Sequence, residues 1–332
     1  MRRRRGAGRW AWFGLAVLGL VVTPHLLTPF QQGFLTEILI WSLLAVAFNL
    51  IYGFAGLMSL GHSIFFGAGA YGIAWSVLRF GFGLWVSILL ALCLSLLVAY
   101  AIGFFAVRVR EHGFIIATVV AAGIITMIAN RAVPLTGGDD GLPFALPPLR
   151  LFGADFSLVD RMTRYYFVLA FVVVVYALYW RLIHSPLGRV FVLIRDNEER
   201  VWFIGYDADR YKCLSFVISG GIAGLSGLLY ALHTRYASSE FFQWTVSAEA
   251  IVWTLFGGAG TLMGPILGTG ILLVFKEWLS RTFVHTYPIF LGAIIILVVL
   301  FAPNGLVGVV RQVAERWKEK AAAAVGLGAV KT

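Results

Sequence analysis

Nine apolar segments follow one another along this chain, and most are long enough to cross a bilayer as α-helices, which takes about 20 residues. Only 13% of the residues are charged, whereas soluble domains carry about 25%, so a soluble surface is excluded. The sequence therefore predicts an all-α, polytopic membrane bundle, whose segments lie at residues 10–30, 34–52, 55–78, 83–107, 113–130, 165–183, 213–235, 250–275 and 287–303.

Two of these segments are interrupted by glycine-rich breaks, at residues 53–72 and 257–268. Glycine and proline disfavour a continuous helix, so we predict that 250–275 forms two short legs that enter and leave the bilayer on the same side. Broken segments in both halves of a chain are typical of a substrate site near the bilayer midplane. Elsewhere, Gly220 with Gly224, and Gly264 with Gly268, have the spacing that favours close helix packing.

Polar side chains inside the breaks are candidates for lining a pathway, because polar groups in a membrane are costly and need a partner or a role. A lone intramembrane histidine is also commonly a hydrogen-bonded packing residue, so both interpretations of His62 stay open. Asn49 could hydrogen-bond a backbone group freed at Gly53 or could face the pathway, and we favour the first. The candidate pathway residues are Ser59, His62, Ser63 and Thr261.

The distribution of charge predicts the orientation. Most of the 26 lysines and arginines fall at the N-terminus, at 108–112, at 181–212 and after 304, while acidic residues are spread evenly, which indicates that these parts and both termini are cytoplasmic. We therefore divide the chain into a basic N-terminus (1–9), one transmembrane domain (10–307) and a tail (308–332). Glu37 and Glu249 lie at the outer ends of apolar segments, where an interfacial position accounts for them.

The 131–164 loop contains a turn-rich acidic motif around Asp139 and Asp140. A solvated turn and a docking surface for an extracytoplasmic partner are equally compatible with it.

The 185–212 loop combines many charges with apolar residues near helical spacing, at Leu193, Val201 and Ile204. Asp196 or Asn197 could cap a short helix that has Glu198 and Glu199 in its first turn and Gly205 just past its end. Such a helix could lie on the bilayer or dock on a protein. Its mixed charge favours a protein partner.

Catalytic and nucleotide-binding motifs are absent from the sequence. No lysine follows a glycine, so there is no phosphate-binding G-x-x-x-x-G-K-[ST] loop, and no metal-ligand or nucleophile motif occurs. We therefore expect this chain to be neither an enzyme nor the holder of a cofactor or metal. If ATP drives its activity, another chain must hydrolyse that ATP.

Four ordered motifs resemble one known family, the permease subunits of bacterial ABC importers for branched-chain amino acids. They are NLIYGFAGLMSLGHSIFFGAGAY at 49–71, TGGDDGLP at 136–143, the stretch from SPLGRVFVLIRDNEERVWFIGY onward at 185–231, and GGAGTLMGPILGTG at 257–270. The resemblance extends from about residue 34 to 307, and FAPNGLVG at 301–308 is similar to the family's ending.

The resemblance implies a subunit that pairs with a second, homologous permease and with two cytoplasmic ATPases, which use ATP and Mg²⁺. It implies delivery of Leu, Ile, Val or a related ligand by a periplasmic binding protein, and a location in the bacterial inner membrane. Asp139 and Asp140 would then face the binding protein. The residues matching the segment that docks on the ATPase are Arg195, Asp196, Asn197, Glu198, Glu199 and Gly205, although many relatives carry alanines where this chain has Val201, Trp202 and Phe203.

Three other functions remain as alternatives. A sister group of permeases imports urea, but its outer-loop motif is less similar to TGGDDGL. An ion-coupled secondary transporter would need an acid within the membrane, and the acids here lie in loops or at segment ends. A membrane-embedded enzyme would need a nucleophile, a metal cluster or an acid pair. No interaction with nucleic acid is expected, because the positive charge has the distribution of a membrane protein.

Overall fold

The computed structural model describes residues 14, 15, 17–109, 112–151, 154–283, 292, 293 and 305–309. Between residues 17 and 283, a short apolar helix at Val17–Leu26 is followed by the α-helices α1 Pro29–Asn49, α2 His62–Leu78, α3 Leu84–Ala106, α4 His112–Arg131, α5 Val133–Thr136, α6 Arg161–Ile183, α7 Pro186–Asp196, α8 Glu198–Phe203, α9 Ala208–Thr234, α10 Trp244–Gly257 and α11 Gly264–Thr282. The four short strands are β1 Leu142–Pro143, β2 Leu149–Leu151, β3 Ala154–Phe156 and β4 Tyr236–Ala237. The predicted all-α membrane bundle is confirmed.

Within the described ranges, five helical stretches are long and apolar enough to cross a membrane: Pro29–Phe54, Leu84–Ala106, Gly113–Arg131, Arg161–Ile183 and Ala208–Thr234. The chain is therefore a multi-pass membrane protein. Of the predicted 287–303 segment only residues 292 and 293 are described, and the basic N-terminus and most of the tail lie outside the described residues.

The boundary predicted between the first two segments, at residues 30–34, is wrong. The helix α1 begins at Pro29, because Thr28 caps it and proline is favoured in the first turn. The backbone N–H of Thr28 donates to Oε1 of Gln31 at 3.0 Å, which completes a capping box. A π-helical segment, Leu50–Phe54, continues α1 into the first glycine-rich break.

The helix α9 lies at the centre of the bundle and packs closely on α2 and α3 through its glycines. A Cβ on Gly227 would lie 2.8 Å from the Cα of Phe66, and one on Gly220 would contact Ala99 of α3. The predicted close packing at Gly220 and Gly224 is thus confirmed. Ser219 and Ser226 of α9 donate to the carbonyl oxygens of Ala47 and Ile40 in α1, at 2.6 and 2.7 Å.

The second predicted break is a helical hairpin. The helices α10 and α11 run antiparallel, since Gly257 packs on Gly264, Trp253 on Gly268, and Glu249 pairs with Lys276 at 3.0 Å. The hairpin opens at the end of the bundle where α1 begins, because the Arg281 guanidinium lies 4.8 Å from the centre of the Phe30 ring. The predicted pair of short legs is therefore present, and that both legs enter the bilayer from one side stays a prediction.

The 131–164 loop and the 185–212 loop lie at opposite ends of the bundle, because α6 connects them and its 23 residues span about 34 Å. At the first end, β1 pairs antiparallel with β4, and β2 with β3. Asp160 caps α6 there, and hydrogen bonds from the backbone and side chain of Thr163 lower the pKa of its carboxyl group. At the other end, α7 and α8 cover the start of α9.

Candidate functional site

The two glycine-rich breaks meet at one point, and the buried amide of Asn49 joins them. Its Nδ2 donates to Tyr179 Oη and to the Thr261 carbonyl oxygen, and its Oδ1 accepts from the Gly260 backbone N–H, each at 2.8 Å. A side chain on Gly53 would not fit, since its Cβ would lie 2.9 Å from the Cα of Gly260. Asn49 therefore bonds freed backbone groups, the role that we favoured from the sequence, but these groups belong to the hairpin tip and not to the break at Gly53.

Arg195 connects the 185–212 loop to the same point. Its Nη1 donates to the Gly53 carbonyl oxygen at 2.6 Å, and its Nε and Nη2 bind Oδ1 of Asp196. Gly56 has φ +77° and leaves room for this side chain, because a Cβ there would lie 2.8 Å from the Cγ of Arg195. Arg195 thus joins α7 to the first break, at the point where Gly53 packs against Gly260 of the second.

Replacing Arg195 by alanine should loosen this junction. We expect amide hydrogen exchange at residues 53–56 and 258–261 to rise about fivefold, because a half-exposed hydrogen bond from a charged group contributes about 1 kcal/mol. Hydrogen exchange followed by mass spectrometry on the purified protein measures this. Arg200→Ala, which removes an exposed arginine from α8, serves as the control. Equal hydrogen exchange in the Arg195→Ala and Arg200→Ala variants would contradict a stabilising contact between Arg195 and the break at Gly53.

The other predicted pathway residues lie inside the bundle. Ser59, His62 and Ser63 are all fully buried. Nε2 of His62 lies 2.6 Å from Oγ of Ser219, and the rings of Phe48, Phe65 and Phe216 surround it edge to face. His62 thus has the hydrogen-bonded packing role as well as a central position.

The remaining predicted pathway residues lie where the backbone is fixed by side-chain hydrogen bonds. The Ser63 backbone N–H donates to Oγ of Ser247 at 2.8 Å, and the Gly61 N–H donates to Oγ of Ser59. Thr261 holds the hairpin turn, because its hydroxyl donates to the Gly258 carbonyl oxygen and accepts from the Gly264 N–H. Thr261 is therefore separated from the His62 group and lies with Asn49 at the meeting of the breaks.

The 185–212 loop folds as the sequence predicts at its cap. Asn197 caps α8, its Oδ1 accepting from the Arg200 backbone N–H at 2.9 Å, and Gly205 has φ +87° just past the end. Glu198 forms an ion pair with the buried Lys212, which fixes α8 to α9. Glu199 is exposed. Of the apolar residues, Val201 is buried, whereas an exposed apolar surface is formed by Leu193, Trp202, Phe203 and Ile204.

Asp139 and Asp140 are exposed on a single 3₁₀ turn at the opposite end of the bundle. The turn is fixed from both sides, since Tyr71 donates to the Thr136 carbonyl oxygen and Tyr236 to that of Asp140. Gly137 and Gly138 have positive φ angles of +75° and +62°. The acidic pair therefore stands on a rigid support.

Sequence reasoning missed Tyr179 and Ser219, which hold Asn49 and His62. Both lie in long apolar helices, more than 100 residues away in sequence from their partners. The one feature of the sequence that could have pointed to them is a hydrogen-bonding side chain inside an apolar segment.

A comparison with known families matches residues 32–299 to the family described as "Branched-chain amino acid transport system / permease component". The chain belongs to this family. The match includes the hairpin, the 185–212 loop and every site residue predicted from the sequence. The predicted family membership is confirmed.

Curated members of this permease family are similar to the chain over most of its length. The permease protein LivM of Salmonella typhimurium is 28% identical over 324 residues, covering 90% of this chain and 75% of the relative. The permease proteins LivH of Escherichia coli and BraD of Pseudomonas aeruginosa are 24% and 26% identical, each covering 81% of this chain and 91% of the relative. All three are named as high-affinity branched-chain amino acid transport permeases. No solved structure matches the chain.

Proposed function

We propose that this chain is a transmembrane permease subunit of an ATP-driven importer that moves leucine, isoleucine, valine or a related amino acid across the bacterial inner membrane. The 185–212 loop carries the proposal. It exposes Trp202, Phe203 and Ile204 at one end of an apolar bundle, and through Arg195 it binds the first glycine-rich break, where that break meets the second. A surface for docking is thus physically connected to the point where the membrane segments are broken.

The partners follow from the similarity to LivM and LivH, two permeases named for the same kind of transport. A second, homologous permease completes the membrane part, and two ATPases bind the 185–212 loop on the cytoplasmic side. ATP and Mg²⁺ are bound by those ATPases and no cofactor by this chain, which is not itself an enzyme. Both termini are cytoplasmic, and a periplasmic binding protein docks at Asp139 and Asp140.

The mechanism couples two movements. Closure of the ATPases on ATP displaces α7 and α8, and Arg195 transmits this displacement to Gly53 and the hairpin tip. Thr261 and Asn49 lie at that tip, so the backbone there changes its hydrogen bonds as the pathway opens. Ser59, His62 and Ser63 are enclosed in the present conformation and line the pathway once the bundle opens.

The test is uptake by the reconstituted complex. The chain, its partner permease, both ATPases and the binding protein are placed in liposomes with ATP inside the compartment that the ATPases face. We expect radiolabelled leucine to accumulate with ATP and not with ADP, because hydrolysis supplies the free energy, and we expect no uptake of labelled urea. Leucine uptake driven by an ion gradient, without the ATPases, would contradict the proposal, and ATP-driven urea uptake would correct its substrate.

A further inference from the structure

A cavity of about 690 Å³ opens between α1 and α11, near the end of the bundle that carries the 131–164 loop. Glu37 and Glu277 contribute two negative charges to its walls, and Arg161 and Lys276 contribute two positive charges. Phe30, Phe34 and Leu273 supply apolar surface beside them. The cavity has no net charge, holds both signs, and falls in the size range of ligand pockets, about 300–1,000 Å³.

These charges lie within helices of the membrane bundle. Glu37 is the ninth residue of α1, about 12 Å from its start, and Lys276 lies six residues, or about 9 Å, before the end of α11. A charged side chain facing hydrocarbon costs several kcal/mol, so such residues face protein or a water-filled path. We therefore expect this side of the subunit to face water or a protein partner and not lipid.

The charges differ in how they are paired. Lys276 binds Glu249 at 3.0 Å, and Arg281 binds Glu277 at 2.8 Å. Glu37 accepts a hydrogen bond from the indole N–H of Trp41 at 3.2 Å. In the part of the chain that the structure describes, Glu37 has no cationic partner. Among the described residues, therefore, nothing neutralises this partly buried carboxylate, and a cation from outside the chain can bind it.

We propose that this cavity is the entry site for the amino acid in its zwitterionic form. The substrate ammonium binds Glu37, and its carboxylate binds Lys276, whose three donors allow a second partner besides Glu249. The branched alkyl group packs on Phe34 and Leu273. This inference rests on the proposed function and adds the residues that would recognise the substrate after the binding protein releases it.

The experiment compares Glu37→Gln with the wild-type complex in liposomes and measures leucine taken up per ATP hydrolysed. We expect this ratio to fall about tenfold, because a hydrogen bond between charged groups is replaced by a neutral one. Glu37→Asp, which keeps the charge, should recover part of the ratio. ATP hydrolysis stimulated by the loaded binding protein should stay at the wild-type rate.

Glu240→Gln is the matched control, because Glu240 is an exposed acid near the same end and outside the cavity. An unchanged ratio in Glu37→Gln would overturn the assignment, and so would an equal loss of uptake and stimulated hydrolysis, which indicates a structural role. If Glu37→Gln does not assemble, Phe34→Trp is measured in its place, since it fills the cavity without removing a charge. We expect Phe34→Trp to lower the amount of leucine taken up per ATP hydrolysed, and a wild-type ratio in this variant would overturn the proposal. Failure of the proposed function is a separate result, in which the wild-type complex takes up no leucine.

Discussion

Replacing Phe203 by aspartate should separate this chain from its ATPase partner while leaving the chain itself folded. The side chain is 89% exposed at the end of α8, and exposed substitutions usually change the free energy of unfolding by less than about 0.5 kcal/mol. In a docking groove, however, the aspartate would be an unpaired buried charge. Losing an aromatic contact at the centre of an interface costs about 2 kcal/mol or more, which corresponds to roughly a 30-fold weaker affinity.

The measurement is the amount of ATPase that copurifies with the tagged permease. Phe80→Asp is the matched control, because Phe80 is 65% exposed in the turn between α2 and α3 at the opposite end of the bundle. We expect Phe80→Asp to retain the ATPase and Phe203→Asp to lose it. Full retention by both variants would place the docking surface elsewhere.

Mutation of Phe203 tests docking more specifically than mutation of the acidic residues that the sequence analysis matched to the docking segment. Glu198 forms an ion pair with Lys212 inside the subunit, so reversing its charge would disturb the fold of the 185–212 loop as well as any partner contact. Phe203 makes no such ion pair, and the structure exposes it together with Trp202. Its replacement therefore tests the proposed docking surface without removing a contact inside the subunit.

Local features of the site could be predicted from the sequence because they depend on neighbouring residues. The Asn197 cap and the positive φ of Gly205 follow from side-chain hydrogen bonding and the absence of a Cβ. The hairpin at 244–282 follows from a glycine-rich break between two apolar stretches. Each of these signals lies within about ten residues.

The connections between these features could not be predicted in the same way. Asn49 meets Gly260 across 211 residues, and Arg195 meets Gly53 across 142. No periodicity encodes such pairs, because they depend on how the helices pack together. The cavity at Glu37 was missed for a related reason: the sequence places this acid at a segment end, whereas the capped start at Pro29 moves it about 12 Å into the helix.

Replacing Gly268 by alanine should open the hairpin. A Cβ at this position would lie 2.8 Å from the backbone N of Gly257, and nearer still to the carbonyl oxygen of Trp253, so the two legs must separate. Rigid backbone cannot move aside as a flexible side chain can, and overpacking of this kind lowers the free energy of unfolding by about 1–3 kcal/mol. Separated legs would also displace Gly260 from Asn49, so we expect leucine uptake to be lost along with stability.

Gly270→Ala is the control because it makes the same change two residues along the same helix. Among the described residues, its added methyl group would meet only Cγ2 of Ile38, at an ordinary contact distance of 3.7 Å. Alanine favours helix over glycine by about 1 kcal/mol, so Gly270→Ala should keep or raise the melting temperature in detergent, whereas Gly268→Ala should lower it. Two variants with the same melting temperature would show that the legs are not in contact at Gly268. The hairpin tip would then be held by its contacts with the rest of the bundle, among them the hydrogen bonds of Asn49 to Gly260 and Thr261, and coupling through the tip would depend on those contacts.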